Sequence, residues 1–131
     1  MKTLLRPAPA GRSPTRLIAL LLVAAGLAQA GPPEDTTAAE TSLRNGDLIT
    51  AMQLFRKAAE QGHAPAQARM GDLMEAAEQN ADAVTWYRKA AEQGDPSGDY
   101  GLGRLYIEGK GLPKDHAKGL EHIRRAAAKN H

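Results

Sequence analysis

From Leu48 onward the apolar residues Leu48, Ala51, Met52, Phe55, Ala58 and Ala59 recur at steps of three and four. That spacing places side chains on one face of a helix. Asn45-Gly46 before the stripe is a turn signal and Asp47 an N-cap candidate, while Gly62 after it suits the left-handed residue that stops a helix. The pattern returns at Val84, Tyr87, Ala90 and Ala91, stopped by Gly94. It returns again at Leu120, Ile123, Ala126 and Ala127, with Asn130 in the place of the glycine. Other helical stretches lie between: one from Ala64 to about Ala77, and one opened by Asp95-Pro96 and carried by Leu102, Leu105 and Tyr106. Pro96 suits a first helical position. Glu108 to Pro113 is a loop, and Asp115 opens the last helix. Gly31 to Asp35, with two prolines and two acids, is expected to be a short disordered lead-in, with the helical pattern running from Thr36.

The stripes belong to a repeat. Lys57–Gly62 and Lys89–Gly94 both read Lys-Ala-Ala-Glu-Gln-Gly at an offset of 32 residues, and a degenerate copy at Arg125–Asn130 follows 36 residues later. Self-similarity at such a period marks stacked helical units. In the aligned copies Ala51, Ala83 and Gly119 are all small, Phe55, Tyr87 and Ile123 are all bulky, and Gly71 corresponds to Gly103. Small residues let neighbouring backbones approach, and bulky ones fill the space between pairs. A helix pair whose stripe it cannot bury alone must stack on the next. The expectation is an all-α chain, an α/α solenoid of about three helix-turn-helix repeats over residues 36–131. Its C-terminal end lacks a separate capping helix, which makes that end a candidate homodimer surface.

Met70-Gly71-Asp72-Leu73, Leu102-Gly103-Arg104-Leu105-Tyr106 and Trp86 to Gly94 resemble the signature of the Sel-one-like repeat (SLR), a relative of the tetratricopeptide repeat. Gly109-Lys110-Gly111-Leu112-Pro113-Lys114-Asp115 is similar to that family's loop, which the first two repeats lack. The resemblance covers nearly all of the chain beyond residue 30. It implies a solenoid that binds proteins or peptides and names no ligand. By analogy with tetratricopeptide repeats, the first helix of each pair lines a concave side. The solvent-facing positions there are then Arg69, Asp72 and Glu75 in one repeat and Tyr100, Arg104 and Ile107 in the next. A mixed-sign groove with one aromatic fits an extended peptide held by side-chain hydrogen bonds.

The first thirty residues have a different character. Lys2, Arg6, Arg12 and Arg16 precede an apolar run of 11 residues, Leu17–Leu27, and Ala28-Gln29-Ala30 has the small-x-small pattern of a cleavage site. This reads as a secretory signal peptide over 1–30, cleaved after Ala30, with a linker at 31–35. The run is short of the ~20 residues of a membrane span. The leader also skews the charge. The whole chain has 17 Lys+Arg against 15 Asp+Glu, but the leader holds four of the basic residues and no acid. The mature chain is therefore mildly acidic, with no general electrostatic reason to bind nucleic acid. Zero cysteine in an exported protein leaves no disulfide and no thiolate metal site. The expected location is periplasmic or secreted.

No constellation in the sequence points to catalysis, a cofactor or a metal. His116 and His122 are six residues apart and fall on different helix faces. They, His63 and His131 read as surface histidines. Glu75 and Glu78 read as a solvated face, since acid/base work needs a desolvated cleft. Trp86 reads as a half-buried rim residue. Lys110, Lys114, Lys118, Arg124, Arg125 and Lys129 make the last repeat basic, which admits an anionic polymer. The functional expectation is a non-enzymatic scaffold for a protein or peptide partner in the bacterial envelope, as an adaptor or assembly factor. The alternative is a small factor that binds or modifies cell wall.

Overall fold

The computed structural model describes residues 31–129 of the 131-residue chain. The expected leader and the expected terminal role of Asn130 lie outside the described residues. Six helices follow one another: α1 (Pro32–Arg44), α2 (Leu48–Glu60), α3 (Ala64–Ala76), α4 (Asn80–Glu92), α5 (Pro96–Glu108) and α6 (His116–Ala128). Each is 13 residues long. Three-residue turns join the first five helices, and two such helix-and-turn units make the period of 32. The α5–α6 connection has seven residues, Gly109 to Asp115, and its four extra residues stretch the last period to 36.

The turns share one hydrogen-bond scheme. After α2, the Gly62 N–H donates to Ala59 O and the His63 N–H to Ala58 O. The same pair of bonds recurs after α1 at Gly46 and Asp47, after α3 at Glu78 and Gln79, and after α4 at Gly94 and Asp95. This is the Schellman closure, which satisfies carbonyls left open at a helix end and needs a left-handed residue. Asp47, Asp95 and Asp115 then cap the next helix by accepting from the backbone N–H of Thr50, Gly98 and Lys118 at 3.1, 3.0 and 3.1 Å. Turn and cap chemistry thus set the period locally, before any packing.

Packing follows the period. The core holds Ala39, Ala51, Phe55, Ala58, Ala66, Met70, Ala83, Val84, Tyr87, Leu102 and Leu105. Tyr87 is fully buried, and two glycines meet its ring. A Cβ on Gly71 of α3 or on Gly101 of α5 would come within 2.5 Å of the ring. Buried polar residues recur at the same place of each first helix, 32 residues apart: Asp35, Gln67 and Asp99. Each is tied to the second helix of its pair or the residue capping it. Asp35 pairs with Lys57 at 3.0 Å, Gln67 accepts from Gln93 at 2.7 Å, and Asp99 meets His122 Nδ1 at 2.8 Å. A buried polar group is costly unless partnered, so these contacts pin the register of each pair.

Several expectations are corrected. Residues 31–35 are not a disordered linker, because α1 starts at Pro32 with Gly31 as its N-cap. Prolines at the first helical positions lack N–H groups that would be unbonded anyway. Glu34 and Asp35 complement the positive helix end, and Asp35 is buried against Lys57. His122 is not a surface residue. Its side chain is 17% exposed, stacks on Tyr106 and sits with Nδ1 2.8 Å from Asp99 Oδ1. Leu48 and Leu120, counted in the stripes, are 50% and 45% exposed. Asn80 and His116 occupy the place of Leu48 in the other repeats, which marks a rim position. Leu120 has no following repeat to cover it among the described residues. Trp86 is half-buried as expected, with Lys89 Nζ 4.7 Å from its ring centre.

Gly101→Val should lower stability by about 1–3 kcal/mol through overpacking against the Tyr87 ring. Urea unfolding checks this, as a lower midpoint at an unchanged slope.

Candidate functional site: the face shared by the first helices

The helices α1, α3 and α5 are neighbours along one side of the stack, in contact in sequence order. On α3, residues three apart share a face, so Arg69, Asp72 and Glu75 line up along it. Each reaches a neighbouring helix or the core. Arg69 forks onto Glu40 of α1, with Nε at 2.6 Å from Oε1 and Nη2 at 2.9 Å from Oε2. Its Nη1 also donates to Asp72 at 3.3 Å. Arg104 of α5 forks onto Glu75, with Nη1 at 2.9 Å from Oε1 and Nη2 at 2.7 Å from Oε2. Its guanidinium lies 5.5 Å from the ring centre of Tyr100. The two acids of α3 are joined from below, where the Tyr87 hydroxyl sits 2.6 Å from Asp72 Oδ1 and 3.0 Å from Glu75 Oε2. Glu40, Arg69, Asp72, Tyr87, Glu75, Arg104 and Tyr100 therefore form one continuous network across four helices, α1, α3, α4 and α5.

The electrostatics follow from these contacts. The Arg104 fork is the main reason the Glu75 carboxyl is held below its ordinary value, with the Tyr87 hydrogen bond adding to it against some burial. Glu75 in turn raises the Arg104 guanidinium, and Glu40 raises that of Arg69. Burial, then the hydrogen bond to Asp72, pushes the Tyr87 phenol up, so it stays a donor at any physiological pH. The network is internally hydrogen-bonded, which holds each side chain in a fixed direction.

At one end the network opens into a cavity of about 660 Å³ lined by Asp72, Glu75, Ala76, Glu78, Asn80, Arg104 and Lys110. The long α5–α6 loop closes it. Gly111 lies so close to α4 that a Cβ there would be 2.5 Å from the Asn80 carbonyl, which carries Lys110 to the rim. Lys110 Nζ pairs with Glu108 at 2.7 Å. Glu78 stands at φ 60°, where the three equivalent turns have Gly46, Gly62 and Gly94. A side chain there costs of order 1 kcal/mol. The turn that bears the strain is also the one at the cavity wall.

Five of the six residues expected on this face are brought together there: Arg69, Asp72, Glu75, Tyr100 and Arg104. Ile107 is not. A Cβ built on Gly119 of α6 would lie 2.5 Å from Ile107 Cγ1, so Ile107 packs into the α5–α6 contact. Glu40, the Tyr87 hydroxyl, Glu78, Asn80 and Lys110 were missed. Glu40 had a signal, since it is Asp72 displaced by the period of 32. The hydroxyl had one too, because among Phe55, Tyr87 and Ile123 only the tyrosine is polar. Among the described residues no group of His, Cys, Asp and Glu could hold a metal ion, and no helix is long and apolar enough to cross a membrane.

This architecture has known counterparts. The Sel1 repeat pattern matches residues 43–63, 64–95 and 96–131, and the chain belongs to the Sel1 repeat family. The three repeats, with six helices among the described residues, make an all-α solenoid, a scaffold fold consistent with protein interaction. A solved Sel1 repeat protein from Oxalobacter formigenes superposes with a TM-score of 0.64 at 31% identity, over 76% of this chain and 81% of that one. A protective antigen present in uropathogenic Escherichia coli strains, displaying an SLR fold, superposes with a TM-score of 0.68 at 31% identity, over 73% of this chain and 22% of that one. An uncharacterised protein of Neisseria meningitidis is 34% identical over 81 residues, and chitin synthase regulatory factor 4 of Schizosaccharomyces pombe 33% identical over 87. Each match covers 62% of this chain but only 17% and 14% of those longer proteins.

Two outcomes test the local physics. Glu75 is depressed below its ordinary 4.5, so its contribution to stability is complete above that pH and is lost as pH falls through its lower folded value. Unfolding free energy should therefore decline on acidification below pH 4.5, and Glu75→Gln should flatten that part of the profile. Glu78→Gly should raise the urea midpoint, by about 0.5–1 kcal/mol in stability, by relieving the left-handed backbone.

Proposed function

We propose that this chain is an exported, non-catalytic scaffold that holds an extended segment of a protein partner along the α1–α3–α5 face. The observation that carries the reading is the ordered row of charges ending in a cavity with mixed-sign walls. Arg69 and Arg104 are held by two-pronged ion pairs, so a peptide meets fixed donors and acceptors and little side-chain entropy is lost on binding. Tyr100, 42% exposed beside Arg104, offers a flat apolar contact within that row. Glu78, also at the cavity wall, adds a further carboxylate acceptor. The basic, apolar and small-residue parts of the first thirty residues support export, to the periplasm or beyond. The envelope role is then that of an adaptor or assembly factor.

A second reading is favoured by the last repeat, where Lys114, Lys118, Arg124 and Lys129 are exposed. They offer an anionic cell-wall polymer a cationic surface. One relative that matches over a part of its length is a chitin synthase regulatory factor, which is compatible with a role beside wall synthesis.

The test captures partners from envelope extract on immobilised residues 31–131, repeated with Arg69→Ala, Asp72→Ala, Tyr100→Ala and Arg104→Ala. Tyr100→Ala is the cleanest variant, being exposed, and should weaken capture about tenfold or more, the effect of losing ~1.4 kcal/mol. Capture indifferent to all four changes overturns the face assignment. In a parallel arm with purified cell wall, turnover of the polymer overturns the scaffold reading. Binding lost only in an Arg124→Ala, Lys114→Ala variant selects the polymer.

A further inference from the structure

All the sulfur of the described residues lies along one groove. The chain has four methionines and one tryptophan. Met1 lies outside the described residues. The other three methionines line a groove of about 400 Å³ together with that tryptophan. Met52 comes from α2, Met70 and Met74 from α3, and Trp86 from α4. Met70 and Met74 are one helical turn apart, so they share a helix face. They are 1% and 8% exposed, while Met52 and Trp86 are half-buried. None of these residues lines the cavity at Arg104 and Lys110, so the groove is a separate feature.

Packing by itself does not call for methionine at these places. Leu102 and Tyr106 stand where Met70 and Met74 would fall one period on, and Val84 where Met52 would. Leu102 and Val84 are buried, so plain hydrocarbon fills the equivalent space in the next repeat. Thioethers stand in for these side chains three times, on two helices, and each time along the same groove. What a thioether adds is a soft, polarizable and uncharged sulfur donor. Such donors select soft ions, cuprous ion above all, whereas magnesium and calcium want oxygen ligands. Zinc is held by thiolate, imidazole or carboxylate. The chain has no cysteine, and no histidine lines the groove.

The charge at the groove suits a monovalent ion. Its charged lining residues are Arg56, Glu60 and Asp82, all exposed, which leaves a single formal negative charge. Neutral sulfur ligands leave the charge of a bound cuprous ion intact, and that surplus carboxylate offsets it. A divalent ion would keep an uncompensated charge in a largely apolar setting. The Trp86 ring attracts cations as well: Lys89 Nζ stands 4.7 Å from its centre without lining the groove. We infer that Met52, Met70 and Met74 form a binding site for a cuprous ion, with Trp86 as its aromatic wall. The site is independent of the α1–α3–α5 face, and neither reading fails with the other.

Silver(I) is the redox-inert probe, titrated into the full chain in chloride-free buffer. One equivalent should shift the methyl resonances of Met52, Met70 and Met74 and quench the emission of Trp86, the only tryptophan of the chain. Cuprous ion, supplied with ascorbate and shared with a competing chelator, should give the same shifts, and zinc(II) should give none. Leucine nearly keeps the volume of methionine and removes its sulfur, an exchange that cores tolerate. The double variant Met70→Leu, Met74→Leu should weaken silver binding at least about tenfold while leaving Tm within roughly 5 °C. Met1 and the histidines persist in that variant, so undiminished binding places the ion on them and overturns the site. Unmoved methionine methyls in the unaltered chain overturn it without any variant. Shifts with silver but not with cuprous ion, or an equal response to zinc(II), overturn the choice of metal.

Discussion

The structure depends on how Tyr87 is held. Its ring is fully buried where two glycines let α3 and α5 close on α4. Its hydroxyl passes through that contact to reach the acids of the first-helix face. One side chain thus joins the inter-repeat core to the polar surface. A bulkier residue at either glycine would push the helices apart, and a phenylalanine in its place would leave Asp72 and Glu75 side by side without the shared donor. The close approach of helices is what lets Arg69 and Arg104 bridge from one repeat to the next, since those ion pairs need neighbouring first helices within a side chain's length.

Around that centre the repeats tolerate unequal chemistry. The buried polar place of the first helix is Asp35, Gln67 or Asp99, and the partner changes with it: Lys57, Gln93, His122. What persists is that the group is contacted from the second helix or its cap, which pins the pair. The exceptions to the period gather at the cavity. The long loop enters there, Gly111 presses on α4, and Glu78 takes a left-handed backbone that glycine holds elsewhere. Where local rules give way in one place, a local demand of function is the usual reason.

Much of the fold was legible. Helix number, the turns at Gly46, Gly62 and Gly94, the caps at Asp47, Asp95 and Asp115, and the small and bulky core places all follow from short-range patterns that the chain states three times. The site was legible in part. Arg69, Asp72, Glu75, Tyr100 and Arg104 fell on one face because helical spacing dictates it. Ile107 did not, because one helix face passes gradually into the next, and the small Gly119 opposite draws the apolar side chain away from solvent. His122 misled for a similar reason: its burial depends on Tyr106 and Asp99, one helix away in the fold and 16 and 23 residues away in sequence.

By itself the sequence determined that this protein is a three-fold helical repeat, because capping, turn geometry and helical periodicity act within a few residues. Even the four extra residues of the last period were visible as a longer loop. The α1 boundary belongs to the same local class but was masked by prolines, which can open a helix as readily as they can disrupt one. Only the tertiary structure decided which charges face which. The arginine forks, the shared phenol proton and the uncovered α6 all depend on contacts between helices, and electrostatic partners are chosen by distance in space.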